Sequence, residues 1–256
     1  MQKSRDPRAL VEGLTGWIRE HVERAGATGA VFGLSGGIDS AVACGLCARA
    51  MGPERCLGVV MPIGNVPEDE ELGRLTGERF GVRVIAPDLL PAFQALEEAF
   101  RAERDATGLE PTSPEAAVLA TANVKPRLRM TTLYHFASLL NYLVVGTGNK
   151  AELTVGYFTK YGDSGVDLLP LADLTKTEVR AVARELSVPE RIVERAPSAG
   201  LWEGQTDEEE LGITYEQIDR YLEEGSSGSA EADARIRRRF LASQHKRELP
   251  PAALLA

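Results

Sequence analysis

Short apolar runs alternate with helical patterns along the first hundred residues of this 256-residue chain. The runs at 30–34, 57–61 and 82–86 predict strands, because each is too short for a helix and ends at a turn residue or a proline. The stretches 7–25, 39–51, 67–80 and 89–104 predict helices. Strands that alternate with helices indicate a parallel sheet. We therefore predict an α/β fold, a three-layer doubly wound parallel sheet with helices on both faces.

The pattern is less regular in the second half of the chain. Residues 105–114 are expected to form a linker, and the long helical stretch after it is expected to break at Pro126 and to lead into a fourth strand at 143–145. A Gly- and Asp-rich loop is predicted over 156–173, a helix over 176–186, and irregular structure over 196–212. No internal repeat or domain-scale shift in composition occurs, so residues 1–256 are predicted to form a single domain.

Charge and hydropathy limit the kinds of partner. The formal net charge of -9 argues against nucleic acid or an anionic membrane as the main partner, because phosphate backbones need clustered cations. No apolar run approaches the roughly 18 residues of a membrane span, and the first residues lack the apolar core of a signal peptide. A cytoplasmic location is therefore expected.

Two of the three cysteines, Cys44 and Cys47, form a C-x-x-C pattern. Such a pattern is compatible with redox or metal chemistry. The two residues also lie on the helical stretch 39–51 among alanine, valine and leucine, which favours a packed helix face. A zinc site needs about four ligands, and the three histidines are not spaced to supply them.

The segment from Gly33 to Ser40 carries the clearest candidate chemistry. After the first strand, Ser35-Gly36-Gly37 turns the chain into a helix, and such a turn presents successive N–H groups that suit a pyrophosphate. Asp39 would repel a phosphate unless a divalent cation lay between them, so Mg²⁺ is implied. A Gly-Gly turn standing alone is usually only a turn.

Other polar residues follow in the second half of the chain. Three cations at 125, 127 and 129 open a helix, where positive charge is unfavourable unless an anion binds; a solvated basic helix start is the alternative. Thr147 offers a hydroxyl at the end of the fourth strand. Glu152 could share a metal ion with Asp39 or be an ordinary acid at a helix start. Lys160 and Lys176 can reach phosphate.

Short segments of the sequence resemble two known protein families. Ser-Gly-Gly-Ile-Asp-Ser at 35–40 resembles the pyrophosphate loop of ATP-pyrophosphatases, which release AMP and pyrophosphate from ATP. The strings GTGNKAE, GYFTKYGD, LTKTEV and PSAGLWEGQTDE, with Tyr215, Asp219 and the HKR near the C-terminus, resemble the NAD synthetase family in content and order. The resemblance spans roughly residues 30 to 250. It implies an adenine nucleotide alpha-hydrolase-like fold.

The resemblance also implies roles for individual residues. Asp39 and Glu152 would bind Mg²⁺, and Asp39 and Lys176 would be catalytic. The implied ATP-binding set is Gly33, Leu34, Ser35, Gly36, Gly37, Ile38, Asp39, Ser40, Thr147, Lys176 and Ser198. The implied set for nicotinic acid adenine dinucleotide is Arg127, Lys160, Asp167, His245 and Lys246. Val66 stands where bacterial relatives have a glutamine that contacts ATP, which is a departure from the family pattern.

The implied reaction amidates nicotinic acid adenine dinucleotide to NAD through an acyl-adenylate. ATP is the co-substrate, and free ammonia is the expected donor because a glutamine-hydrolysing version needs a separate domain for which this chain has no room. The resemblance implies a homodimer with the helix after Pro126 at its interface, although Leu133, Phe136, Leu139 and Leu140 on that helix could equally be monomer core. Two alternatives are a tRNA-modifying ATP-pyrophosphatase and a nucleotide-binding module without turnover.

Overall fold

The computed structural model describes residues 5–64, 67–196 and 206–253. Its sheet has four parallel strands: β1 (Gly29–Gly33), β2 (Cys56–Val59), β3 (Arg83–Ile85) and β4 (Tyr142–Val144). Their spatial order is β3-β2-β1-β4. The chain therefore moves outward from β1 to β3 and then returns to the other side of β1. A crevice at such a switch point, beyond the carboxyl ends of the strands, is where ligands bind in open α/β sheets.

Helices occupy most of the remaining chain. In the first half they are α1 (Pro7–Arg24), α2 (Ile38–Met51), α3 (Pro67–Phe80), α4 (Leu90–Thr107), α5 (Pro114–Ala122) and α6 (Val124–Leu140). In the second half they are α7 (Lys150–Val155), α8 (Lys176–Glu185), α9 (Glu190–Val193), α10 (Asp207–Leu211), α11 (Tyr215–Glu224), α12 (Ala230–Ala242) and α13 (Gln244–Arg247). None of the helices within the described residues is long and apolar enough to cross a membrane.

Apolar side chains cover both faces of the sheet. Because side chains alternate along a strand, Ala30 and Phe32 of β1 face one core, which also contains buried residues of α1, α2, α3 and α8. Val31 faces the other core, together with Leu133 and Ala137 of α6. The prediction of a parallel sheet between two helical layers is confirmed.

A third cluster of buried residues joins the C-terminal helices to α7. It contains Ala151 and Val155 of α7, Tyr215 and Ile218 of α11, and residues of α10 and α12. This packing matters for function because α7 and α8 begin next to the end of β4, so α11 comes to lie beside the crevice.

Two sequence predictions for the second half of the chain are wrong. The helical stretch breaks at Asn123 rather than at Pro126, which lies in the first turn of α6. A proline there disrupts no hydrogen bond, because the first N–H groups of a helix have no partner within it. Residues 207–211 form α10 instead of irregular structure.

The C-x-x-C pattern proves to be part of the core. Cys44 and Cys47 are buried in α2, Cys56 is buried at the start of β2, and all three are free thiols. Burial raises the pKa of all three, that of Cys56 to about 12. The interpretation of Cys44 and Cys47 as a packed helix face is confirmed.

Candidate active site

The turn between β1 and α2 leaves a helix N-terminus open to a ligand. Gly36 adopts a φ of +78°, and a Cβ there would lie 2.7 Å from the backbone oxygen of Asp69, so only glycine fits. Gly37 caps α2 without a side-chain hydrogen bond to the first N–H groups of the helix. The Ser40 hydroxyl donates to the Gly37 carbonyl at 2.8 Å and so closes the turn. The arrangement is a ready anion site.

Lys176 lies between two carboxylates beside this turn. Its Nζ is 2.5 Å from Oδ2 of Asp39 and 3.6 Å from Oε1 of Glu152, and the side chain of Lys176 is almost completely buried. Asp39 comes from the first turn of α2, Glu152 from α7, and Lys176 from the start of α8. The structure thus brings together three site residues that lie far apart in the sequence.

Capping interactions fix the helix start that carries Lys176. The Asp219 carboxylate of α11 accepts hydrogen bonds from the backbone N–H groups of Lys176 (3.1 Å) and Thr177 (2.8 Å). Thr175 and Glu178 form a capping box. The Lys176 Nζ also lies 4.7 Å from the centre of the Tyr215 ring. These contacts hold a buried lysine in one position.

Glu152 is held in the same way on α7. Asn149 caps this helix in a capping box with Glu152, and the backbone N–H of Asn149 donates to Oε2 of Glu152 at 3.1 Å. Asn149 Nδ2 donates to Oδ1 of Asp39 at 2.9 Å. Asn149 therefore aligns both acids.

The cluster contains more acidic charge than one lysine neutralises. Burial and then the charge of Asp39 raise the pKa of Glu152 to about 8. Burial raises the pKa of Asp207, which lies close by and accepts from the Tyr215 hydroxyl at 2.8 Å. Burial alone would lower the pKa of Lys176, but Asp39 and Glu152 outweigh it and the pKa is raised. A further cation would relieve this excess of negative charge.

The residues present fit a magnesium ion that is also bound by a polyphosphate. Mg²⁺ in such sites takes one or two carboxylates, with waters and phosphate oxygens completing its octahedron. Asp39 and Glu152 supply two carboxylates beside the turn between β1 and α2. Within the described residues no group of three or more His, Cys, Asp or Glu is placed to hold a metal ion.

A basic cluster forms where α6 begins and α13 ends. Lys160 Nζ donates to the carbonyl of His245 at 2.5 Å, and Arg127 Nη2 lies 3.4 Å from the Lys160 carbonyl. Lys246 Nζ donates to the carbonyls of Gly156 and Phe158 at 2.9 and 2.8 Å. The structure therefore brings together four of the five residues expected to bind the dinucleotide.

The other expected site residues are placed separately. The carboxylate of Asp167 accepts from the Tyr134 hydroxyl at 2.9 Å and from the N–H of Val144 at 2.8 Å, at the end of β4. Thr147 and Glu152 line a cavity of about 30 Å³. Ser198 and Val66 lie outside the described residues.

Comparison with known proteins assigns the family. The family model of NAD synthase matches residues 10–250. The chain belongs to the NAD synthase family. The NH(3)-dependent NAD(+) synthetase of Carboxydothermus hydrogenoformans is 51% identical over 244 residues, which are 95% of this chain and 96% of that protein.

Solved structures of similar proteins have the same fold. An NMN synthetase from Francisella tularensis matches 98% of this chain and 100% of its own, with a TM-score of 0.89 and 35% identity. The NAD+ synthetase from Burkholderia pseudomallei matches 96% of this chain and 92% of its own, with a TM-score of 0.75 and 32% identity.

Several residues around the candidate site were not assigned roles from the sequence. Asn149 could have been found, because an asparagine followed three residues later by glutamate is a capping-box signature. Tyr215 and Asp219 belong to the quoted resemblance, but their contacts with Lys176 depend on how α11 packs. Asp207 also belongs to the quoted resemblance, in the string PSAGLWEGQTDE, whereas Arg195 gives no local signal.

Proposed function

We propose that this protein amidates nicotinic acid adenine dinucleotide to NAD, with ammonia as nitrogen donor and AMP and pyrophosphate as the other products of ATP. The observation that carries the proposal is 51% identity, over 95% of the chain, to an enzyme named NH(3)-dependent NAD(+) synthetase. The geometry agrees with it, since a buried lysine and two acids beside an open helix N-terminus suit an enzyme that cleaves a nucleoside triphosphate.

The chemistry needs activation because oxide is too poor a leaving group for ammonia to displace. In the first step a nicotinate oxygen attacks the α-phosphorus of ATP, the bond to the bridging oxygen breaks, and pyrophosphate departs. In the second step ammonia attacks the carbonyl carbon of the acyl-adenylate, AMP leaves, and a proton is lost. No protein nucleophile is required, so catalysis is positioning and charge stabilisation.

We assign the ATP side of this reaction to the turn and its neighbours. The N–H groups of residues 33–40 are proposed to bind the phosphates. Lys176 is proposed to stabilise charge on the reacting phosphorus and the leaving group, supported by its burial and its position beside the turn. Thr147 and Ser198 complete the proposed set.

Asp39 and Glu152 are proposed to hold Mg²⁺. When bound, the ion would neutralise charge on the phosphates and on the departing pyrophosphate. Asp39→Asn should abolish or strongly reduce pyrophosphate release and raise the Mg²⁺ concentration needed for half-maximal activity. Near-normal activity at the wild-type Mg²⁺ requirement would contradict the metal assignment.

Arg127, Lys160, His245, Lys246 and Asp167 are proposed to bind the dinucleotide. The support is the convergence of the first four at one end of α6, together with the anionic character of the substrate. Arginine suits a diphosphate or carboxylate because its guanidinium forms paired hydrogen bonds.

Three broader proposals accompany this function. We propose a homodimer, because α4, α5 and α6 expose large apolar residues: Phe100, Val118, Leu119, Leu139 and Leu140. Residues 1–256 are proposed to be one domain, since α11 near the C-terminus caps the helix that carries Lys176. A cytoplasmic location is proposed from the use of ATP and the three free thiols.

The test supplies the purified protein with ATP, Mg²⁺, ammonium and nicotinic acid adenine dinucleotide. A dehydrogenase detects the NAD, and AMP and pyrophosphate are measured in parallel. Equal amounts of NAD, AMP and pyrophosphate are expected. Absence of NAD formation with all components present would overturn the proposal.

A second candidate substrate is nicotinic acid mononucleotide. It is favoured by the likeness to the Francisella tularensis NMN synthetase, whose TM-score of 0.89 exceeds the 0.75 of the Burkholderia pseudomallei enzyme. The reacting carboxylate is the same in both compounds. Measuring kcat/KM for each, at saturating ATP and ammonium, decides between them.

A further inference from the structure

Several acidic residues lie beside the turn between β1 and α2 that is proposed to bind phosphate. The first turn of α3 contains Glu68, Asp69 and Glu70, with Glu71 next in sequence. The backbone of Asp69 lies against Gly36, so close that no side chain fits at that glycine. An acid in this position repels a triphosphate, because charges near a protein surface interact over several ångströms. The proposed function therefore needs some means to offset Asp69.

Arg195 contacts both Asp69 and Gly36. Its Nη2 lies 2.6 Å from Oδ1 of Asp69, and its Nη1 lies 3.5 Å from the carbonyl oxygen of Gly36. The side chain of Arg195 is 24% exposed and that of Asp69 is 16% exposed. Solvent screens a partly buried pair less than an exposed one. The charge of Arg195 therefore affects the electrostatic potential at the Gly36 turn.

A neighbouring arginine provides a natural comparison. Arg191 pairs with Glu68 at 3.0 Å and with Glu71, also on α3, and half of its side chain is exposed. It shares the partner helix of Arg195, and its hydrogen bonds are to those two exposed acids. Exposed ion pairs of this kind contribute little to stability.

Arg129 of α6 is a second cation near Asp69. Burial lowers the pKa of Arg129, and the charges of Asp163 and Asp69 act in the opposite direction. Its Nε donates to the carbonyl of Met61 at 3.2 Å. The charges of Arg195 and Arg129 therefore both act on Asp69, and removal of Arg195 leaves part of the Asp69 charge offset.

We propose that Arg195 is a positioning residue for ATP, which acts by neutralising Asp69 at the Gly36 turn. The inference rests on the proposed function, in which this turn binds the phosphates of ATP. Arg195 keeps the charge of Asp69 from opposing the triphosphate. The dinucleotide, assigned to the basic cluster at the start of α6, is unaffected by the pair.

The first experiment measures steady-state kinetics of Arg195→Ala, with Arg191→Ala as the matched control. Arg195→Ala should raise the KM for ATP roughly fivefold to tenfold, because Asp69 is then only partly offset, and leave the KM for the dinucleotide within about twofold. Arg191→Ala should leave both constants near the wild-type values. Equal effects of the two variants, or an equal rise in both KM values for Arg195→Ala, would overturn the inference.

A rescue variant distinguishes the loss of the Arg195 charge from the loss of a structural contact. In Arg195→Ala/Asp69→Asn the acid no longer needs a counter-ion, so the KM for ATP should return to within about threefold of the wild-type value. If Arg195 only anchored α3, the double variant would be as impaired as the single one, and the inference would fail. Thermal melting of each variant shows that it is folded.

Failure of the proposed function and failure of the role of Arg195 give different results. A wild-type protein that forms no NAD from ATP contradicts the proposed function itself. An active wild type whose Arg195→Ala variant keeps the wild-type KM for ATP contradicts only the role of Arg195.

Discussion

At the scale of single residues, the site depends on one buried ammonium group. Lys176 is 1% exposed, and it is held by the charges of Asp39 and Glu152 and by the face of Tyr215. Burying a lysine costs free energy unless opposite charges compensate. The acids that compensate are those proposed to bind Mg²⁺, so the entry of metal and nucleotide would redistribute charge among all three side chains.

Removing this charge should lower the rate of turnover. Lys176→Met keeps a chain of similar length and should lower the rate of pyrophosphate release by roughly 10² to 10³, the typical cost of losing one group that stabilises a transition state. The matched control is Lys150→Met, whose ammonium pairs with exposed Asp173 at 2.9 Å. The control should stay within about twofold of the wild type. A similar loss in both variants would contradict the role of Lys176.

Arg127 allows a test of the dinucleotide cluster. Arg127→Ala should raise the KM for the dinucleotide by roughly tenfold or more, because a charge-assisted contact to an anion is lost, and should leave the KM for ATP unchanged. Initial rates with each substrate varied in turn provide the measurement. Equal changes in both KM values would show that Arg127 does not distinguish the two sites.

The sequence predicted part of this geometry. Asp39 and Glu152 follow the ends of adjacent parallel strands, which topology alone brings together at one edge of the sheet. The contact of Asp219 with the start of α8 could not be predicted, because residues 43 positions apart meet only through tertiary packing. The contacts of Arg195 could not be predicted for the same reason, because its partners Gly36 and Asp69 belong to other parts of the fold.

At the scale of elements, the strands that form the centre of the sheet were the most predictable. β1 lies within one residue of the predicted 30–34, because its buried run has no helical alternative. α10 was missed because five residues carry too little periodicity to predict a helix. α11 buries Tyr215, Ile218 and Asp219 against the site, and no pattern local to the chain reveals the helices it packs on.

Arg5 joins two distant elements. It pairs with Glu178 of α8 at 2.7 Å and with Asp173 at 2.8 Å, and it lies just before α1. Burial would raise the pKa of Glu178, but hydrogen bonds from Arg5 outweigh it and lower the pKa. Hydrogen bonds from Lys150, and then from Arg5, lower the pKa of Asp173. The pairs thus favour the ionised acids in the folded state.

The stability that Arg5 provides should therefore depend on pH. A carboxyl group whose pKa is lower in the folded state than in the unfolded state stabilises the protein at neutral pH. This stability is lost as the pH falls below the pKa of the unfolded state and through the pKa of the folded state. Arg5→Met should lower the melting temperature at pH 7, and the difference from the wild type should shrink below about pH 4.5. Arg8→Met is the control, because among the described residues the ion pair of Arg8 is with Glu12, four positions on in α1, and both side chains are exposed. A pH-independent difference would contradict this assignment.

At the scale of the whole molecule, α6 has two different faces. Leu133 is 9% exposed and packs under the sheet, whereas Leu139 is 68% exposed. The sequence left open whether the leucines of this helix are core or interface. The structure assigns Leu133 to the core, and the exposure of Leu139 supports its proposed place at a dimer interface.

A charge at Leu139 should prevent association if that proposal is right. Leu139→Asp would bury a carboxylate against an apolar surface, which costs several kcal/mol without a partner, so light scattering should find a dimer for the wild type and a monomer for the variant at about micromolar concentration. Leu241→Asp is the control, since Leu241 is 67% exposed on α12 and should leave the dimer intact. A dimeric Leu139→Asp variant, or a monomeric wild type, would exclude this face as the interface. Unchanged melting of the variant monomer would show in addition that the α6 surface is not needed for folding.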